Sequence, residues 1–172
     1  MTQTLPLADP EIAAAVFRDH LMRSIDSAAK AGRDWAIVEW VDDLHAVVRM
    51  WGRLGDAQYP HFILLGAEHY DLHPPRVRIV DPRSGWSDAA PGTKYFPIID
   101  GCGWFQLHPT YQFADAVRQL ACFSYSADYY VSGHTPMDEQ RWQQGRHTVS
   151  ATLTRLHRVL GPEFYRGRGS DA

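Results

Sequence analysis

The sequence predicts an α+β fold in which helices pack on an antiparallel sheet. Three observations support this prediction. Apolar residues recur at helical spacing within the first thirty or so positions, four short strand-like runs follow without a helical pattern between them, and a second helical repeat lies near the end. Because the connections between the strand-like runs are short, a four-stranded antiparallel meander is the simplest topology.

The first helix is predicted over residues 10–31. Asp9 is a favourable cap, Pro10 suits the first turn, and Glu11 complements the positive end of the helix dipole. Gly32 is a typical residue just beyond a helix end. The apolar residues that define the repeat are Ile12, Val16, Phe17, Leu21 and Ile25.

The sheet is predicted from four runs that are rich in Val, Ile, Trp or Phe. These runs are Asp34–Trp40, Leu44–Trp51, His61–Leu65 and Arg76–Val80. Residues 76–79 of the last run alternate polar and apolar side chains, as a half-buried strand does. Residues 52–60 are predicted to connect the second and third strands, and His73-Pro74-Pro75 forms a rigid turn before the fourth.

The second half of the chain is predicted to hold a long active-site loop and a C-terminal helix. Asp81–Gly103 contains three prolines and four glycines and is predicted to be irregular. The sequence leaves open whether residues 113–120 form a short helix or a strand. A clear helical repeat over residues 147–160 ends at Gly161-Pro162.

Length and composition predict one domain over residues 1–172, with a core from 10 to 161 and a frayed tail from 162 to 172. The net charge of -3 is spread along the chain without a basic block, so no nucleic-acid partner is expected. No apolar run reaches the ~18 residues that a membrane helix needs, so no membrane partner is expected. Two cysteines without a secretion signal predict reduced thiols and a cytoplasmic location.

Thiol chemistry is the main functional question that the sequence raises. Cys122 closes an apolar segment, thirteen positions after the His108-Pro109 dipeptide. A cysteine in such a place is either a small buried apolar residue or a nucleophile. Cys102, which lies between two glycines, is the less favoured candidate for a working thiol, and a disulfide between Cys102 and Cys122 is disfavoured but left open.

The order of these motifs resembles the ubiquitin-conjugating (E2) family in a divergent form like that of bacterial conjugation systems. Members of the family follow their sheet with a tyrosine and a proline pair, then a His-Pro motif, the thioester-forming cysteine, a tryptophan and a helix. The matching residues here are Tyr70, Pro74, Pro75, His108, Pro109, Cys122 and Trp142. The resemblance covers most of residues 10–160.

The resemblance implies a function as well as a fold. It predicts that Cys122 receives a ubiquitin-like protein from an E1-like activating enzyme as a thioester and passes it to an amine of a protein acceptor. Bacterial relatives of this kind often belong to antiviral-defence systems. The site residues that we expect beside Cys122 are His108, Thr110, Asp128 and His134. Thr110 stands where family members from eukaryotes carry an asparagine, so a hydroxyl or a backbone N–H is expected to replace that amide as the donor to the oxyanion.

Three other functions compete with this prediction. The first is a non-catalytic E2-fold module that binds a ubiquitin-like protein or another partner, with Cys122 inert. The second is a cysteine hydrolase, which needs a histidine within hydrogen-bond reach of the sulfur. The third is a metal enzyme, but no Cys-x-x-Cys or His-Glu-x-x-His spacing occurs, so neither a metal nor another cofactor is expected.

Overall fold

A computed structural model describes residues 3–170 and shows an α+β fold. In chain order its elements are α1 (Pro10–Lys30), β1 (Ala36–Trp40), β2 (His45–Leu54), β3 (Ala57–Gly66), β4 (Arg76–Asp81), β5 (Ser87–Asp88), β6 (Pro97–Ile99), β7 (Gln106–Gln112), β8 (Val117–Cys122), α2 (Ala127–Val131), α3 (Val149–Val159) and β9 (Tyr165–Arg168). Short 3-10 helices lie at Pro82–Ser84 and Asp138–Gln140. No helix within residues 3–170 is long and apolar enough to cross a membrane.

The N-terminal helix, the antiparallel meander and the C-terminal helix are confirmed, but the sheet has five strands and not four. The strands are hydrogen-bonded in the order β1-β2-β3-β4-β5. The added strand is only two residues long, and Asp88 pairs there with Val80. A segment this short carries no periodicity that a sequence pattern could reveal, and so it was expected to be part of the loop.

The β2–β3 hairpin is longer than predicted. Residues 52–54 and 57–60 continue the two strands, and only Gly55 and Asp56 lie between them. Gly55 has a φ of 58°, a left-handed conformation that suits glycine in a tight turn. Gly52 lies within β2. A glycine is needed at this position because the Tyr165 ring packs against the backbone, and a side chain would collide with the ring.

The segment that the sequence left open between helix and strand forms a second hairpin. Strands β7 and β8 pair antiparallel, with Gln106 opposite Cys122 and Gln112 opposite Val117. Phe113 is buried beyond the end of β7, and its N–H donates to the carbonyl of Ala116 at 2.9 Å to close the turn. This hairpin places Cys122 at the end of a strand.

The segment predicted as a frayed tail is ordered between Tyr165 and Arg168. It forms β9, which pairs with β6. Tyr165 is fully buried, and its hydroxyl lies 2.8 Å from Nε2 of buried His61. This pairing joins residues more than sixty positions apart, so local composition gave no sign of it.

One core joins the two long helices to the sheet. Phe17 and Leu21 of α1, together with Leu153 and Leu156 of α3, are buried against it. Tyr70 ties the layers together, because its hydroxyl accepts a hydrogen bond from the N–H of Val149 at 2.9 Å and contacts Nδ1 of His20 at 2.7 Å. The core holds the β8–α2 junction, which carries the candidate site.

Candidate functional site

Cys122 opens onto a groove beside the β7–β8 hairpin. The groove has a volume of about 500 Å³ and is called the thiol groove below; its lining residues include Cys102, Trp104, Gln106, Cys122, Tyr129 and Arg155. Both cysteines are free thiols and half-buried. The sulfur of Cys122 is therefore neither sealed in the core nor joined to Cys102.

His134 faces the sulfur of Cys122. Its Nε2 lies 4.0 Å from Sγ, at the limit of a hydrogen bond that involves sulfur. Its ring stacks on Tyr129, with centroids 5.0 Å apart and planes inclined by 26°. The stacking restricts the imidazole to an orientation in which one nitrogen points at the thiol.

Ser132 defines which nitrogen of His134 carries the proton. The Ser132 hydroxyl donates to the carbonyl of Tyr129 at 2.7 Å, and so it can only accept from Nδ1 of His134, which lies 2.6 Å away. The proton on a neutral imidazole is then at Nδ1, and the lone pair of Nε2 faces Cys122. The arrangement Ser132–His134–Cys122 thus aims a base at the sulfur.

A helix C-cap brings His134 back to the thiol. After α2, Gly133 adopts a φ of 88°, in the left-handed region. Its N–H donates to the carbonyl of Tyr130 at 3.0 Å, while the N–H of His134 donates to that of Tyr129 at 3.3 Å. These two bonds form a Schellman motif, which reverses the chain and satisfies the last carbonyls of the helix.

Burial raises the pKa of the Cys122 thiol above its ordinary value. Burial thus disfavours the thiolate form of Cys122 in the folded protein. Attack by this sulfur requires a group that accepts the thiol proton as the bond forms. His134 is the group placed to do so.

Gln106 lies directly opposite Cys122 across the hairpin and also lines the thiol groove. Side chains on directly opposed residues lie about 5 Å apart at Cβ. Gln106 is exposed, so its carboxamide can donate a hydrogen bond into the groove. The prediction from sequence overlooked this glutamine, although its place beside the cysteine follows once residues 106–122 are taken as a hairpin.

Two of the expected site residues lie elsewhere in the structure. Thr110 is exposed on β7, four residues beyond Gln106 and hence about 13 Å along the strand. Asp128 is fully buried and forms ion pairs with Arg76 at 3.2 Å and Arg118 at 3.6 Å. Thr110 is thus too far from the sulfur to stabilise an oxyanion there, and Asp128 anchors α2 to β4 and β8 and does not face an incoming amine.

His108 lies at the edge of the site. His108, on β7, pairs with Leu120 of β8, and Leu120 lies two residues before Cys122 on that strand. Partial burial lowers its pKa, and the nearby positive charge that His134 can carry lowers it further. His108 packs edge-on against Tyr111 at 5.7 Å, a contact that braces β7. Of the predicted residues, the structure brings Cys122 and His134 into contact and leaves His108 beside them.

Comparison with known proteins does not assign the chain to a family. No protein-family model matches it, and no curated protein matches it in sequence. Within residues 3–170, no group of three or more His, Cys, Asp or Glu side chains is arranged to hold a metal ion.

Proposed function

We propose that this chain is an acyl carrier that accepts a ubiquitin-like protein on Cys122 as a thioester and transfers it to an amine. An E1-like activating enzyme would supply the modifier, and a protein lysine would accept it. The observation that supports this proposal best is that Cys122 lines the open thiol groove while Nε2 of His134 lies 4.0 Å from its sulfur. An extended peptide tail fits such a groove, whereas a cysteine packed in the core would not meet one.

The first step is an exchange of thioesters. The sulfur of Cys122 attacks the carbonyl carbon of the donor thioester while His134 takes the thiol proton. The negative charge on the carbonyl oxygen is stabilised by the Gln106 carboxamide. The intermediate then collapses, the donor sulfur leaves as a thiolate, and that thiolate takes up the proton from His134.

The second step transfers the acyl group to nitrogen. A lysine amine attacks the Cys122 thioester, and an amide bond replaces the carbon–sulfur bond. His134 receives the proton that the attacking nitrogen loses and returns it to the departing sulfur of Cys122. The free thiol is restored, and no oxidant, metal or cofactor takes part in either step.

A cysteine hydrolase is the second candidate, and the same contact between His134 and Cys122 favours it. The raised pKa of Cys122 argues for a carrier, because a thiol of higher pKa leaves a thioester more slowly. The acyl group would then remain on the sulfur long enough to meet an amine. A hydrolase gains from the opposite property, a thiolate that is already present at neutral pH.

Intact-protein mass spectrometry after incubation with a Gly-Gly-ended peptide thioester tests the proposal. The expected result is an adduct of one acyl group that dithiothreitol removes. The Cys102→Ser variant should form the same adduct, since Cys102 lines the groove without a histidine contact among residues 3–170. The Cys122→Ser variant should form no adduct that dithiothreitol removes.

The alternative of a non-catalytic binding module predicts a different outcome. In that case Cys122 would stay unmodified after hours with excess peptide thioester, and Cys102 would react at least as fast. Either result would refute the carrier proposal. An adduct on Cys122 that forms only in denaturant would refute it as well.

A further inference from the structure

The thiol groove is basic although the chain is acidic. Two arginines, Arg155 and Arg158 of α3, line it, and no aspartate or glutamate is among its lining residues. The chain as a whole carries a net charge of -3. A groove with low-dielectric walls and charge of one sign concentrates its field on the ligand that enters. The groove beside the thiol therefore favours an anionic group.

Arg155 is held in place without a carboxylate partner. Its guanidinium lies over the Tyr125 ring at 4.0 Å from the centroid and within 5.9 Å of Trp104. Among residues 3–170, no aspartate or glutamate lies within ion-pair distance of it, and its buried Nε has no hydrogen-bond partner. Leaving this buried donor unpaired costs free energy, and a ligand that accepts hydrogen bonds from the same guanidinium would meet no competing carboxylate.

Arg158 provides the contrast within the same groove. It lies one helical turn further along α3 and is exposed, and its guanidinium forms an ion pair with Glu163 at 3.2 Å. Its charge is therefore already compensated. Arg155 is the cation in this groove that remains available to a substrate.

We propose that Arg155 binds a carboxylate side chain of the peptide that enters the thiol groove, so that the transfer reaction selects acidic substrates. This inference rests on the proposed function and names its substrate class. A planar guanidinium matches a carboxylate with two parallel hydrogen bonds. One uncompensated arginine balances a single carboxylate, whereas a doubly charged phosphate would keep an excess charge between the aromatic walls. Trp104 and Met137 supply apolar surface for the rest of the chain.

Calorimetric titration of the Cys122→Ser protein tests the binding step without the chemistry. The probes are two acetylated hexapeptide amides that end in Gly-Gly and differ only in one aspartate or asparagine. We expect the aspartate peptide to bind about tenfold more tightly. Arg155→Met should abolish this difference, Arg155→Lys should retain part of it, and Arg158→Met should leave it unchanged. Equal affinities for the two peptides in the parent protein would overturn the inference.

Transfer kinetics distinguish the two possible sources of the carboxylate. In one arm the aspartate is in the acyl peptide thioester, and in the other it is beside the lysine of an acceptor peptide. An aspartate that accelerates formation of the Cys122 adduct assigns the contact to the donor tail, and one that accelerates its aminolysis assigns it to the acceptor. If no adduct forms while aspartate-selective binding persists, the carboxylate site stands and the carrier function fails. If adducts form and transfer at equal rates with aspartate and asparagine peptides, the inference about Arg155 is overturned and the carrier proposal is not affected.

Discussion

At the scale of residues, the state of one sulfur separates a carrier from a hydrolase. Cys122 is half-buried, and burial raises the pKa of its thiol. His134 contacts the same sulfur through Nε2, with its proton held at Nδ1 by Ser132. A thiol becomes nucleophilic when a base takes its proton, and the lone pair of His134 Nε2 is placed to do so.

The first prediction concerns the ionisation of Cys122. In the Cys102→Ser variant, the rate of alkylation by iodoacetamide should rise with pH and reach half its plateau above the midpoint of a free cysteine. The physical reason is that burial disfavours the thiolate. A plateau already reached below pH 7 would indicate a thiolate–imidazolium pair and would favour a hydrolase.

The second prediction compares two residues of β7. Gln106→Ala should lower the rate of acyl transfer to Cys122 about 100-fold, because it removes the donor that faces the developing oxyanion. Thr110→Ala should change the rate less than about twofold, since Thr110 lies about 13 Å further along the strand. Stopped-flow or quenched mass spectrometry measures both rates. A larger effect at Thr110 than at Gln106 would reverse the assignment of the oxyanion donor.

At the scale of elements, the hairpin β7–β8 and the cap of α2 build the site together. The hairpin sets Gln106 against Cys122, and the Schellman motif at Gly133 returns His134 to the sulfur. The five-residue helix α2 is anchored by the ion pair between its buried Asp128 and Arg76 of β4. The position of Cys122 thus depends on the pairing of β7 with β8, and the position of His134 depends on the C-cap of α2. Neither residue lies on one of the two long helices.

The third prediction concerns that cap. Gly133→Ala should lower the free energy of unfolding by about 1 kcal/mol, because alanine is strained at a φ of 88°. It should also slow acyl transfer at least tenfold, since His134 is displaced. Gly145→Ala is the matched control: Gly145 has a φ of 79° and open space around it, so it should lose similar stability but keep its transfer rate. Equal loss of activity in both variants would mean that the cap only stabilises the fold.

Particular elements show how far the sequence predicted this fold. Helix α1 and strand β4 were predicted within a residue or two because their signals, a capped apolar repeat and the alternation over residues 76–79, are local. Strand β9 was not predicted, because its partner β6 lies far away in sequence. Cys122 and His134 were named from the sequence, yet their contact was not, since it depends on the turn at Gly133. Arg155 was not singled out because an arginine on an amphipathic helix is ordinarily a solvated residue.

At the scale of the whole molecule, two histidines make the stability of the fold depend on pH in opposite directions. Contacts with Glu68 at 2.7 Å and with Asp42 at 2.8 Å raise the pKa of His45 to about 9. Arg76 lies 3.7 Å from the same oxygen of Glu68. Burial instead lowers the pKa of His61 to about 4. Protonated His45 stabilises the fold, whereas protonation of His61 destabilises it.

The fourth prediction follows from the sign of these shifts. The pKa of His45 is higher in the folded state, so its contribution is complete below about pH 6.5 and is lost as pH rises through about 9. His45→Gln should therefore lower the free energy of unfolding by about 1–2 kcal/mol at pH 6.5, allowing for partial exposure to solvent. At pH 10 it should have little effect. Urea unfolding at the two pH values measures this, and an equal loss at both would show that the charge of His45 does not stabilise the fold.

The lifetime of the acylated protein tests the central claim most directly. After Cys122 has reacted with a peptide thioester and the excess has been removed, intact mass is followed over time at pH 7 with and without a lysine-containing peptide. The carrier account predicts an adduct that persists for at least minutes in buffer and decays at least tenfold faster with the amine, as an amide product accumulates. An adduct that never forms on Cys122, or that is lost to water at a rate the amine does not change, would contradict the account.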